Sequence, residues 1–137
     1  MWESIMFFSV AVSNIEEGIE QYKGMFGLKQ MSNIGETQFG FRSVMMGDGQ
    51  KRFLEIVEPT NPDSALARFM KGRSRSQNPN GEGIHYIAVE VDDLEATVKQ
   101  IRACGGKVAQ EPEDPDVAWV HPLSLRSTFI ELRRHQE

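Results

Sequence analysis

Glu55 and Glu131 are the residues of this chain best placed to do chemistry. Each lies in a short apolar segment, Arg52–Val57 and Thr128–Arg133, that reads as a strand. Alternation in the first puts Leu54 and Ile56 on one face and Phe53, Glu55 and Val57 on the other. In the second, Ile130 and Leu132 oppose Phe129, Glu131 and Arg133. Carboxylates directed at an aromatic hollow suit proton transfer, because desolvation makes them better bases than they are in water. Phe7, Phe41, Phe53, Trp119 and Phe129 supply such rings as candidate ligand-binding residues. Tyr86 adds a hydroxyl able to donate to a developing oxyanion. The plainer readings are a glutamate on a solvated strand face, and Phe7 and Tyr86 as packing.

An internal duplication must position these groups. At an offset of 79, Val10 falls on Val89, Val12 on Val91, Ile15 on Leu94, Ile19 on Val98 and Gly27 on Gly106. Phe7 falls on Tyr86 in the same alignment. Each copy begins with a strand, Ile5–Val12 or Ile84–Val91, whose Val residues face a following helix. That leaves Phe7, Ser9 and Ala11, and Tyr86, Ala88 and Glu90, on the other side. Ser13-Asn14-Ile15-Glu16 has capping-box spacing, with Ser13 as the cap, and Asp92-Asp93-Leu94-Glu95 opens the second helix. Ile15, Ile19, Tyr22 and Phe26 form the apolar stripe of the first helix, and Gly27 suits its left-handed stop. Further strands are expected at Leu28–Ile34, Thr37–Met46, Lys107–Gln110 and Val117–Val120, with a turn at Gly47-Asp48-Gly49.

The fold class expected is therefore α+β. Two βαβββ modules, about 4–58 and 83–134, are joined by a connector over 59–82 in one domain of 1–137. With one face of each sheet covered by its helix, the other two faces form a cupped mixed sheet around a central cavity. In the connector, Asp63-Ser64 can cap a short helix through Phe69, and Lys71–Gly81 reads as a mobile loop. Its basic residues Lys71, Arg73 and Arg75, with Arg68 just before, are either a solvated surface or a grip on an anionic ligand.

Composition narrows the partners. The chain has 137 residues, 39% hydrophobic and 26% charged, with a net charge of −5. That balance fits one globular core and argues against nucleic acid or an anionic membrane as partner. No apolar run approaches the ~20 residues of a membrane span, and the start lacks a basic signal-like segment. Cys104 cannot form an internal disulfide and reads as a small buried residue. The expected location is cytoplasmic.

Three segments carry a family resemblance: Gly81-Glu82-Gly83-Ile84-His85-Tyr86-Ile87-Ala88-Val89-Glu90-Val91-Asp92-Asp93; Trp119-Val120-His121-Pro122 with Phe129-Ile130-Glu131-Leu132; and Leu54-Glu55-Ile56-Val57-Glu58-Pro59. They resemble methylmalonyl-CoA epimerases, of the vicinal oxygen chelate superfamily that also holds glyoxalase I and bleomycin-resistance proteins. The resemblance implies the fold above, a homodimer, and a divalent metal held by two histidines and two carboxylate or amide ligands. It places the carboxylates at Glu55 and Glu131 and the histidines at positions 7 and 86, where this chain has Phe7 and Tyr86. His85 belongs to the opposite strand face, and His121 to a His-Pro turn. Glu36 falls in the segment that resembles the one carrying a second catalytic glutamate. The cofactor expectation is none, or a divalent metal weakly held by Glu55 and Glu131, since two carboxylates make a poor zinc site.

Two functions follow. One is a lyase or isomerase moving a proton next to a carbonyl of a small acid or thioester, with Glu131, Glu55, Tyr86 and Glu36 as its catalytic residues. The other is a metal-free cup that binds or sequesters an apolar or aromatic compound, as in the bleomycin-resistance branch.

Overall fold

The first strand, β1 (Trp2–Ala11), is divided between two compact units in the computed structural model, which describes residues 1–136. Its last residues begin one unit, Phe8–His85; Met1–Phe7 joins the chain from Tyr86 onward in the other. The fold is α+β, a mixed sheet with three helices.

In the unit Phe8–His85, β1 leads to α1 (Ile15–Phe26), then β2 (Lys29–Gln30), β3 (Gly35–Glu36), β4 (Phe41–Gly47), β5 (Arg52–Pro59) and α2 (Ala65–Gly72). The strand order is β2-β4-β5-β1, with β3 beside β4 and β1 parallel to β5. Asn14, not Ser13, caps α1: its side chain accepts from the Glu17 amide. Ser13 is instead bound to the Glu82 carboxylate through its amide and hydroxyl. The acidic Glu16 and Glu17 favour the helix N-terminus, and Gly27 closes the helix at φ 67°. Ile15 and Ile19 pack on Val10, Val12, Val44, Met46, Leu54 and Ile56. Burying such an aliphatic side chain contributes roughly 1.5–3 kcal/mol, so this face holds the helix on the sheet.

The expected strand Leu28–Ile34 shrinks to two residues because Leu28 and Ile34 turn into this core. The expected strand from Thr37 starts only at Phe41, because the Thr37 amide and hydroxyl both donate to the Phe41 carbonyl and close a turn.

The connector is more structured than its composition implies. Ser64 caps α2 by accepting from the Ala67 amide. Leu66 and Met70 then pack on Ala11 and Val57, so part of the sheet face opposite α1 is covered. Beyond α2, Arg73 donates to the carbonyls of Gly81 and Ile84 and lies over the Phe69 ring, 4.5 Å from its centroid. Asn78 is bonded to the Glu82 backbone in both directions. Arg73 thus ties the loop to β6, while Arg68, Lys71 and Arg75 are exposed.

The other unit contains β6 (Gly83–Val91, from Tyr86), α3 (Leu94–Ala103), β7 (Val108–Ala109), β8 (Val117–Val120) and β9 (Ile130–Arg134). Its order is β1-β6-β9-β8-β7, with β6 parallel to β9. Asp93 caps α3 through the Ala96 amide, and Leu94 and Val98 pack on Val89, Val91, Ala118, Val120, Ile130 and Leu132. Cys104 ends the helix exposed rather than buried, because the apolar stripe stops at Ile101.

Candidate functional site

Glu55 and Glu131 hold equivalent register positions in their two units. Glu55 stands beside Ser9 of β1 and Met45 of β4. Glu131 stands beside Ala88 of β6 and Trp119 of β8. Ser9 and Ala88 are themselves repeat partners, 79 residues apart. Residues in register share a sheet face, so each glutamate lies on the face away from the unit's principal helix.

Their surroundings differ. Glu131 is 1% exposed. Its carboxylate is ion-paired with Arg133 Nε, two residues along the same face of β9. Burying an ionised carboxylate is tolerable only with such a partner. Around this pair stands a group of rings. Tyr86 meets Phe7 edge-on at 6.1 Å between centroids, and meets Trp119 edge-on at 5.1 Å. Trp119 and Phe129 are 5.1 Å apart. The Arg133 Cζ lies 5.2 Å from the Phe7 centroid, so the guanidinium sits between a carboxylate and an aromatic ring.

In the other unit Glu55 is half-buried, and the hydroxyl of its neighbour Ser9 is buried with no hydrogen-bond partner among the described residues. Phe41 packs with Ala11, Val57 and the α2 residues Leu66 and Met70. Phe53 packs instead against the α1 core, which corrects its expected place in a ligand-facing wall. It stands where the β4–β5 register shifts between Met46 and Gly47, and simple alternation fails at such an irregularity. Glu36 is exposed on β3 beside Arg42, whose guanidinium is committed to Glu58 and Glu16. His85 takes the opposite face from Tyr86 and packs on Phe69, centroids 4.6 Å apart. Burial, with Arg73 nearby, pushes its pKa down to about 4, so it is a neutral ring at ordinary pH. His121 accepts from the Leu123 amide at the start of a short turn, a structural role.

The residues at positions 7 and 86 do not fit a metal. Phe7 has no donor atom, and both rings are buried against each other. Glu131 is already engaged by a fixed cation. Among the described residues, the group whose donor atoms lie within 4.8 Å of one another is Glu3, Glu90 and His135. His135 Nδ1 is 3.0 Å from Glu3 and 3.1 Å from Glu90 there. Sequence reasoning missed this cluster and the Arg133 contact. Alternation puts Arg133 on the same face as Glu131, and the i, i+2 spacing of opposite charges is the available signal.

What the geometry offers is a buried carboxylate paired with a guanidinium, and a phenol, within one aromatic setting. Comparisons with known proteins bear on the family and the fold. Residues 8–119 match the Glyoxalase/Bleomycin resistance protein/Dioxygenase superfamily. A mitochondrial methylmalonyl-CoA epimerase of Dictyostelium discoideum is 27% identical over 129 residues, 90% of this chain and 74% of that one. A probable lactoylglutathione lyase of Vibrio cholerae is 28% identical over 108 residues, 79% of this chain and 71% of that one. Among solved structures, a Streptomyces coelicolor methylmalonyl-CoA epimerase variant in complex with 2-nitronate-propionyl-CoA superposes with a TM-score of 0.80. It is 23% identical over the full length of both chains, a likeness that bears on the fold.

Proposed function

Because the chain belongs to the Glyoxalase/Bleomycin resistance protein/Dioxygenase superfamily, we propose that it is an isomerase or lyase that moves a proton on the carbon next to a carbonyl. Its substrate class is the acyl thioester of a small acid, as the epimerase relatives suggest. The observation that carries this reading is Glu131, a carboxylate 1% exposed beside Trp119, whose ring Tyr86 meets edge-on.

In the proposed reaction an oxygen of Glu131 takes the α-proton. The C–H electron pair moves into the C–C bond and the carbonyl pair onto oxygen, giving an enolate. The Tyr86 hydroxyl donates to that oxygen. Return of a proton to carbon completes the exchange, on the same or the opposite face. By the family resemblance, Glu55 and Glu36 are further candidate proton carriers; Glu55 holds in its own unit the register position that Glu131 holds in the other. No step is routed through a metal, because the donors at positions 7 and 86 do not fit one. We also infer a cytoplasmic homodimer from the resemblance; sedimentation of the purified protein tests the dimer.

The test is α-proton exchange from methylmalonyl-CoA in deuterium oxide, followed by NMR. Exchange by the wild type that falls at least a hundredfold in Glu131→Gln supports the reading. Absence of exchange from acyl thioesters and 2-oxo acids, with or without added divalent ions, overturns it. The aromatic wall of Phe7, Tyr86, Trp119 and Phe129 favours a second reading, a binding protein for apolar or aromatic compounds. Saturable quenching of tryptophan fluorescence without exchange selects that one.

A further inference from the structure

We propose that Arg133 is the resident cation of this site and the residue that receives the anionic group of the ligand, a carboxylate on the α-carbon. This rests on the proposed reading of the site as one for acyl thioesters.

The guanidinium is fixed on two sides. Its Nε is ion-paired with the buried carboxylate of Glu131, and its Cζ lies 5.2 Å from the Phe7 centroid. A planar guanidinium held by an anion at its edge and a π-face at its side loses little further freedom on taking a ligand. Exposure separates the two partners: the Arg133 side chain is 37% exposed, that of Glu131 only 2%. The base is therefore withdrawn and the cation is presented. Arginine also suits the task chemically, since its fork matches a carboxylate with two parallel hydrogen bonds.

The substitutions at positions 7 and 86 acquire a reason. A divalent ion on Glu131 would have to displace the guanidinium and then endure its repulsion. Phe7 supplies a ring for the guanidinium to rest on, which a metal-binding side chain would not. The Glu131–Arg133 pair is neutral as a unit, so a ligand anion meets a positive group without a net negative site behind it. The chemistry expected is recognition of thioesters that bear a carboxylate on the α-carbon, without a bound metal.

The experiment is calorimetric titration of chelator-treated protein with methylmalonyl-CoA and with propionyl-CoA, which lacks the carboxylate. The wild type should bind the first at least tenfold more tightly. Arg133→Gln should abolish that preference, a loss of roughly ten- to hundredfold for methylmalonyl-CoA and a smaller one for propionyl-CoA. Arg133→Lys should restore part of it. A preference that survives Arg133→Gln, a preference that appears only with added zinc, cobalt or magnesium, or failure to bind either thioester overturns the proposal. Failure of the catalytic reading is distinguishable: the preference then depends on Arg133 while no α-proton exchanges. Circular dichroism melting of each variant separates loss of recognition from loss of fold.

Discussion

The guanidinium carbon of Arg133 lies 5.2 Å from the centre of the Phe7 ring, and the same side chain is ion-paired with Glu131. An aromatic face thus steadies the charge that neutralises a buried carboxylate. Phe7→Leu keeps the apolar volume and removes the π-face. It should weaken methylmalonyl-CoA binding by a few-fold, equivalent to about 0.5–1 kcal/mol, with propionyl-CoA binding unaltered. Paired titrations of the two thioesters check it.

Glu131→Gln should be costly twice over. The α-proton exchange rate should fall by roughly 10² to 10⁴, the range for removal of a positioned base. The fold should lose about 1–3 kcal/mol, because a cation beside a neutral amide has lost its counter-charge. Exchange kinetics and urea denaturation measure the two separately. A stability loss with undiminished exchange would remove Glu131 from the chemistry.

His85 makes stability depend on pH. Its folded pKa of about 4 lies below its ordinary 6.5, burial being the main cause. The unfolded chain therefore binds the proton first as pH falls. The His85 contribution is fully present above about pH 6.5 and is lost as pH falls through 4, up to about 3 kcal/mol in all. Urea midpoints between pH 7 and pH 4 should show this slope, and His85→Gln should flatten it. Glu58 acts lower: burial pushes its pKa up, but Arg42 and the Ile15 amide outweigh that and hold it down. Its contribution is lost only below the ordinary carboxylate range.

Gly81 is a backbone requirement. It takes φ +63°, and a Cβ there would run into the carbonyl oxygen of Met70. Its own carbonyl accepts from Arg73, the residue that anchors the connector. Gly81→Ala should destabilise the protein by about 1–3 kcal/mol. A thermal melt unchanged within a degree would show that α2 moves aside without loss.

Ser9→Ala should do the opposite. The Ser9 hydroxyl is buried without a partner among the described residues, so its removal relieves a desolvation penalty of roughly 1 kcal/mol. The melting temperature should rise. A fall would mean that the hydroxyl has a partner in solution.

The repeat made much of this fold legible. The valines at 10, 12, 89 and 91 and the isoleucine and leucine at 15 and 94 share periodicities that only a helix on a sheet satisfies, and all are in the two cores. Val117–Val120 is a strand with the expected ends. What failed were choices between near-equal local options. Ser13 and Asn14 are both good caps, and the Glu82 carboxylate, distant in sequence, claims Ser13. The connector looked like a solvated loop because its backbone anchors, Gly81 and Ile84 carbonyls for Arg73, leave no trace in composition. At the site, alternation puts Glu131 and Arg133 on one face, and their i, i+2 spacing hints at a pair that only the rotamers establish. Phe53 was misplaced because the shift in pairing beside Met46 cannot be read from side-chain types.

The division of β1 has a consequence for how the chain is made. Ribosomes deliver Trp2–Ala11 before the strands it joins, and its later residues can pair with β5 once residue 59 has emerged. Met1–Phe7 belongs with the chain from Tyr86 onward, so it must wait until the translation of β6. During that interval Phe7 and its neighbours are an unmatched strand on a nascent polypeptide, the sort of surface that chaperones recognise and that adheres to other chains. Pausing synthesis between residues 59 and 86 should therefore lower the soluble yield, and the aromatic residue that steadies Arg133 would be among the last parts of the first strand to reach its place.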